Sequence, residues 1–287
     1  MNRLKDIEEY KILVREFRKE HKAFYSNFYF MPKDIDRYIS LGRVEYENNE
    51  EGLFFYFDEE SYYRVCMYVE AGGVFSISKR HKKLLVRNIY RKNQQDEKLV
   101  EFEKNLERNE FNLAGTSFQI QGRMSEIWKN CSRLEKFFLA MEKKGFRCVE
   151  ADYSCYKEIE DLILASDIVK DYQMSYLTEQ EKQMMIPGSY LCILDKQNQI
   201  CAASIAYAHD GVARDGVFAV KEEYKMMGIA PMLAFRRLKW TFENKVDFGQ
   251  GWILTDNDAS IRYHKSLGYQ WTDKYANDWI LQKTDLV

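Results

Sequence analysis

Only three prolines, Pro32, Pro187 and Pro231, occur in these 287 residues. No stretch rich in proline, serine or glycine interrupts the chain, so domain boundaries must be read from hydrophobic pattern rather than composition. The six cysteines, Cys66, Cys131, Cys148, Cys155, Cys192 and Cys201, have no C-x-x-C spacing, and the four histidines, His21, His81, His209 and His264, lack metal spacing with each other or with the cysteines. That argues against a metal site, and none is expected. No apolar run approaches the ~20 residues of a membrane span, and the N-terminus lacks the apolar core of a signal peptide. A cytoplasmic protein with no membrane partner is therefore expected. A net charge of −2 lacks the surplus of Lys and Arg on which nucleic-acid binding rests. No nucleic-acid partner is expected.

What is present is ordinary for a soluble globular chain, with 46% hydrophobic and 31% charged residues. The 20 Tyr and 18 Phe read as core filling. Cysteines inside apolar runs, such as Tyr190-Leu191-Cys192-Ile193-Leu194, read as small buried hydrophobes in a reducing compartment. Cys192 and Cys201 lack the positive surroundings of a nucleophilic thiol, and Cys155 alone adjoins a helix start. The basic run Lys79-Arg80-His81-Lys82-Lys83 is either a solvated turn or a patch for an anionic partner.

From Ser189 the pattern predicts three successive antiparallel strands, Tyr190 to Asp195, Ile200 to Ala208 and Val212 to Val220, separated by polar turns. Pro231 suits the first turn of a helix continuing through Leu233, Leu238 and Phe242. Strand Gly251 to Thr255, helix Ala259 to Leu267 stopped by Gly268, and strand Tyr269 to Asp273 follow. Upstream, Val149 to Ala151 reads as a strand and Tyr156 to Ala165 and Glu179 to Met185 as helices. The first half repeats this rhythm in Leu53 to Phe57, an acidic turn, and Tyr63 to Val69. Helices are expected over Ile7 to Glu20, Lys33 to Leu41, Lys98 to Leu106 and Ser132 to Met141, and a strand over Thr116 to Gln121. A divergent tandem duplication is plausible on this pattern, with a generic α+β appendage as the alternative.

The sharpest feature is Lys225-Met226-Met227-Gly228-Ile229-Ala230, a glycine-containing loop between an apolar strand and a long helix. Such a glycine lets backbone N–H groups converge on one point, and the helix start adds roughly half a positive charge. A phosphorylated cofactor is the natural guest. Nothing in the first half supplies such a loop, since Asn88 to Asp96 contains no glycine.

With Asn257, Ser260, Gly268 and Tyr269 at the right distance beyond it, this loop resembles the R/Q-x-x-G-x-G/A motif of the GNAT acetyltransferase superfamily, over roughly Cys148 to Leu281. Lys225 stands for the usual Arg or Gln. The resemblance implies an α+β GNAT acyl-CoA N-acyltransferase fold in two tandem GNAT-like domains with mostly antiparallel sheets flanked by helices. Residues 1–144 would be a degenerate repeat and residues 145–287 the acetyl-CoA-binding domain.

It further implies acetyl-CoA as cosubstrate, its diphosphate on Lys225, Met226, Met227, Gly228, Ile229 and Ala230, and its pantetheine arm along Phe218, Ala219 and Val220. Asn257 would touch that arm, although the same residue could equally cap a helix. His264 occupies the place of a tyrosine thought to protonate the departing thiolate, and imidazole can take that role or be structural. Where relatives often carry a glutamate base, this chain has Gly216, with Asp215 beside it as the catalytic candidate and His209 and Asp210 in the preceding turn; these last three also read as a solvated hairpin, which leaves the base unassigned.

The expected activity is direct transfer of acetyl to a primary amine of a small molecule or peptide. The rivals are a non-catalytic CoA sensor or scaffold and an acyltransferase with another donor. A monomer and a homodimer are both compatible.

Overall fold

The computed structural model describes residues 2–78, 80–94, 97–166, 177–183, 189–209, 211–214 and 217–282. They form two compact units, one of residues 2–118 with 273–282 and one of residues 119–272.

The first unit opens with β1 (Asn2–Arg3), α1 (Ile7–Glu20), β2 (Phe24–Ser26) and α2 (Pro32–Ser40). Strands β3 (Val44–Asn49), β4 (Gly52–Asp58), β5 (Tyr62–Glu70) and β6 (Lys83–Arg91) follow, then α3 (Glu97–Arg108). β7 (Asn112–Arg123) leads into the second unit, with α4 (Met124–Lys129), α5 (Ser132–Lys143), β8 (Arg147–Glu150), α6 (Tyr156–Leu164) and α7 (Glu179–Gln183). Next come β9 (Tyr190–Leu194), β10 (Ile200–Ile205), β11 (Tyr207–His209), β12 (Val212–Arg214) and β13 (Phe218–Val220). Last are α8 (Ile229–Glu243), β14 (Phe248–Leu254), α9 (Asp258–Leu267) and β15 (Gln270–Leu281), whose residues from Asp273 belong to the first unit.

In the first unit the apolar run of β4 is covered on both faces, as such runs require. Phe54 and Tyr56 pack with Phe102 and Leu106 of α3, whereas Phe55 and Phe57 pack with Val14 and Phe17 of α1 and Ile35 and Tyr38 of α2. The period of two along the strand sorts them. Helix α1 starts at Asp6, whose carboxylate accepts from Glu9 N at 2.8 Å while Glu9 Oε2 accepts from Lys5 N at 2.7 Å, a reciprocal cap. The strand order is β1-β3-β4-β5-β6-β15, with β2 also on β5. β5 and β6 are parallel, and β15 lies antiparallel to β6 from Lys274↔Arg91 to Leu281↔Leu84. Strand β6 has no counterpart in the sequence reading, because its basic start resembles a turn.

In the second unit β9 and β10 pair antiparallel as the pattern predicts. The other two strands of the expected meander each divide. Ile200 to Ala208 breaks at Ala206, where Ile205 N donates to Val217 O and Ala206 N to Ser189 O before the chain joins a different sheet as β11. Val212 to Val220 becomes β12, antiparallel to β11 and parallel to β14, and then β13, antiparallel to β10. Exchange of hydrogen-bonding partners leaves no hydrophobic signature, so the alternation reads as one strand.

Helix α8 is buried around most of its circumference, which marks a helix enclosed by other elements. Ile229, Met232 and Leu233 join Met141, Phe146, Leu191, Ile193 and Cys201 in one core. On its other side Trp128 of α4 stacks on Phe235 and Phe242 at 5.7 and 5.1 Å. Helices α4 and α5 thus cover α8, and the expected division at residues 144 and 145 falls inside this unit.

Candidate functional site

The loop into α8 is built from the strand before it. β13 forms the edge of its sheet, bonded to β10 by Ala202↔Val220, Ala203↔Ala219 and Ser204↔Phe218. Ala219 is buried and Phe218 and Val220 are half-buried. In the other sheet β12 and β14 are paired in parallel over Val212↔Phe248, Ala213↔Gly249 and Arg214↔Gln250, and among the described strands β13 pairs with β10 alone, so its outer backbone edge is not covered by β14.

After Val220 a 3₁₀ turn, Glu222–Tyr224, brings the Tyr224 hydroxyl to Asp195, where it donates to Oδ2 at 2.6 Å. Asp195 also accepts from Gln197 N and Gln199 N at 2.8 and 2.9 Å. These bonds, the tyrosine's first, hold the carboxyl below its ordinary range, and the same bond pushes the Tyr224 hydroxyl up to about 12. The Tyr224 ring also packs edge-on against Phe146, with centroids 6.2 Å apart.

Beyond the anchor the backbone turns left-handed twice, at Met226 (φ 62°) and at Gly228 (φ 93°), which is the N-cap of α8. Among the described residues, no hydrogen bond is donated by the backbone N–H of Met226, Met227, Gly228, Ile229 or Ala230. Two left-handed residues in a run of N–H groups that donate no bond form a concave, anion-accepting loop, and the dipole of the 15-residue α8 adds to it. Pro231 offers no donor, and Met232 N is already bonded to Gly228 O at 3.3 Å. Ile229 is buried and pins the helix start, whereas Met226 and Met227 are exposed and Lys225 is ion-paired to Glu222. An atom placed as Cβ on Gly228 would lie 3.5 Å from Phe137 and from Met141, so α5 backs the loop. A diphosphate fits these donors.

On the next helix, Asn257 caps α9, with Oδ1 accepting from Ser260 N at 3.0 Å. Buried His264 directs Nδ1 to Ser260 O at 2.8 Å and lies 3.2 Å from Ser260 Oγ, with edge-on rings of Tyr263 and Tyr269 at 4.8 and 5.1 Å. A carbonyl only accepts, so Nδ1 carries the proton, and in the neutral ring Nε2 does not. Asp215, Gly216 and Asp210 lie outside the described residues, as does the side chain of His209.

Elsewhere the basic run is met by its own unit: Arg80 pairs with Glu47 at 2.9 Å and Lys82 with Asp58 at 2.7 Å. Burial pushes the thiols of Cys66, Cys148 and Cys192 up to about 12 and those of Cys131 and Cys201 up to about 11, so they stay protonated at neutral pH. Among the described residues no group of His, Cys, Asp and Glu could hold a metal, and no helix is long and apolar enough to cross a membrane. The sequence reading missed Arg237, a buried cation on α8 whose Nη1 donates to Ser204 Oγ and, at 3.1 Å, to Ile205 O where the chain leaves β10. A charge on the apolar face of that helix was its one available signal.

No family model matches the chain, and no curated protein matches it. Solved structures do match. A GCN5-related N-acetyltransferase from Sphaerobacter thermophilus is 8% identical, with 90% of this chain and 87% of that one covered at a TM-score of 0.53. One from Kribbella flavida is 11% identical, with 86% and 92% covered at 0.51. A tandem GNAT protein from the clavulanic acid biosynthesis pathway is 11% identical, with 85% of each chain covered at 0.50. At these identities the likeness is one of fold: the chain has the α+β GCN5-related N-acetyltransferase fold expected from its motifs.

Proposed function

We propose that the second unit is an acyl-CoA N-acyltransferase that passes an acetyl group from acetyl-CoA directly to a primary amine of a small molecule or peptide. The observation that carries this reading is an edge strand, Phe218–Val220, paired with β10 alone and running into a loop whose five successive N–H groups from Met226 to Ala230 donate no hydrogen bond among the described residues. The loop N–H groups would hold the diphosphate, and the free backbone edge of β13 would bond the amides of the pantetheine arm. Acetyl-CoA, when bound, supplies a thioester carbonyl open to attack by an amine, with the thiolate leaving.

The remaining work falls to side chains. With Nδ1 committed to Ser260, His264 can release a proton only from Nε2, and only as imidazolium. Asp215 is the proposed acceptor of the amine's proton. Asn257, as helix cap, fixes the start of α9 and would contact the arm from there. Direct transfer needs no covalent intermediate, because holding amine and thioester together supplies much of the acceleration. The N-terminal unit is read as a divergent copy of this one, and the chain as a cytoplasmic monomer or homodimer.

Calorimetric titration with acetyl-CoA tests the reading, beside a Met226→Glu variant that puts negative charge at the loop on a fully exposed side chain. Micromolar binding weakened at least about tenfold by the variant, roughly 1.4 kcal/mol, supports it. No binding by the unaltered chain sinks it, and binding without release of the CoA thiol from the thioester in the presence of any amine would assign a sensor instead.

A further inference from the structure

Each unit has, among its described residues, a pair of parallel strands in register for three residues: Val212–Arg214 with Phe248–Gln250 in the second, Tyr62–Arg64 with Lys83–Leu85 in the first. What lies beyond that pairing differs. In the second unit it is the proposed seat of the pantetheine arm. In the first unit it is the chain itself. β2 lies antiparallel along the far end of β5, through Phe24↔Glu70, Tyr25↔Val69 and Ser26↔Tyr68. The next residue, Asn27, stands at the fork. Its Nδ2 donates to Val65 O of β5 at 3.0 Å and to Arg87 O of β6 at 3.2 Å, while its Oδ1 accepts from Met67 N at 2.8 Å. Both donors and the acceptor of the carboxamide are thus spent on the two lips, and Asn27 is 4% exposed. Beside it the Tyr25 hydroxyl donates to Asn88 Oδ1 on β6.

We infer that Tyr25–Asn27 is a built-in stand-in for a bound ligand: the strand supplies the backbone and the Asn27 carboxamide the amide that would otherwise bridge the parted strands. The first unit therefore takes no acyl-CoA, and the chain carries one cofactor site. The stoichiometric part rests on the reading of the second unit given above. The bridging part stands alone. Three backbone groups inside the opening, Val65 O, Arg87 O and Met67 N, are all bonded by this one side chain, and taking a hydrogen bond from buried polar groups is costly. The first unit also has no counterpart of the Met226–Ala230 loop in its described residues: β5 is followed by the turn at Ala71–Gly72 and an irregular segment rather than a helix.

Two measurements on the full chain test this. Titration with acetyl-CoA should give one site per chain, lost with Met226→Glu. Two sites, or a residual site in the variant, would overturn the inference, whereas absence of all binding would strike the proposed function and leave the second measurement to decide. There, Asn27→Ala should speed amide exchange at Met67 about 100-fold or more, and Asn27→Asp, which keeps the acceptor and loses both donors, should lower Tm by roughly 5–10 °C. Unchanged exchange and an unchanged Tm would show that Asn27 bridges nothing and end the inference whatever acetyl-CoA does.

Discussion

The hydroxyl of Tyr224 donates to Asp195 at 2.6 Å, tying the loop that enters α8 to the turn between β9 and β10. The two residues are far apart in sequence, and through this bond the sheet sets where the five free N–H groups stand. Tyr224→Phe should leave the fold intact and weaken acetyl-CoA binding about fivefold. Titration calorimetry on both proteins checks it, and equal affinity would show that the loop holds its shape without the anchor.

The same bond has a pH window. The Tyr224 hydroxyl is raised to about 12 from an ordinary value near 10, so its contribution is complete below pH ~10 and disappears as pH rises through about 12. Asp195 is lowered, so its contribution is present above the ordinary carboxylate value near 3.9 and is lost as pH falls through its depressed one. Protease sensitivity of the loop should therefore stay flat from pH 5 to 9 in the unaltered chain. A rise inside that window would contradict the assignment.

Turnover should depend on His264 in a particular way. Because Nδ1 is bonded to Ser260, only Nε2 can hand a proton to the leaving thiolate. His264→Gln should lower kcat by about 10²-fold while leaving acetyl-CoA affinity unchanged. An affinity loss matching the rate loss would make His264 structural.

Gly249 on β14 is required by its neighbours. An alanine Cβ there would lie 2.7 Å from the Tyr269 hydroxyl and 3.2 Å from Met124 Sδ. Gly249→Ala should cost about 1–3 kcal/mol in urea unfolding, and the Gly249→Ala, Tyr269→Phe pair should be at least ~1 kcal/mol less destabilised than the sum. Strict additivity would mean that the strand shifts instead.

A fragment of residues 145–287 should not fold cooperatively, since it lacks the α5 residues Phe138 and Met141 that close the core of α8. Circular dichroism melting of the fragment beside the full chain reads this directly. A sharp transition in the fragment would show α8 content without its cover.

Local features were legible in the residue order. Gly228 and Gly268 mark the start of α8 and the end of α9, both left-handed, because only glycine adopts that backbone freely. The motif spacing from Lys225 to Tyr269 led to the right fold, since a loop, a helix, a strand and a second helix in fixed succession constrain one another at short range. Asn257 is the cap of α9, one of the two roles its place in the sequence allows.

What the order of residues determined by itself was therefore the position of the glycine loop entering α8, the apolar faces of the helices and strands, and the GNAT-like fold pattern of the C-terminal half. Tertiary structure alone decided that Val212 to Val220 divides between two sheets, that α4 and α5 belong with α8, that Arg237 is buried against β10, and that Asn27 closes the opening of the first unit. The physical reason is common to all four. Each depends on which distant backbone or side-chain group satisfies a hydrogen bond or covers an apolar face, and periodicity records that a face is buried without recording against what.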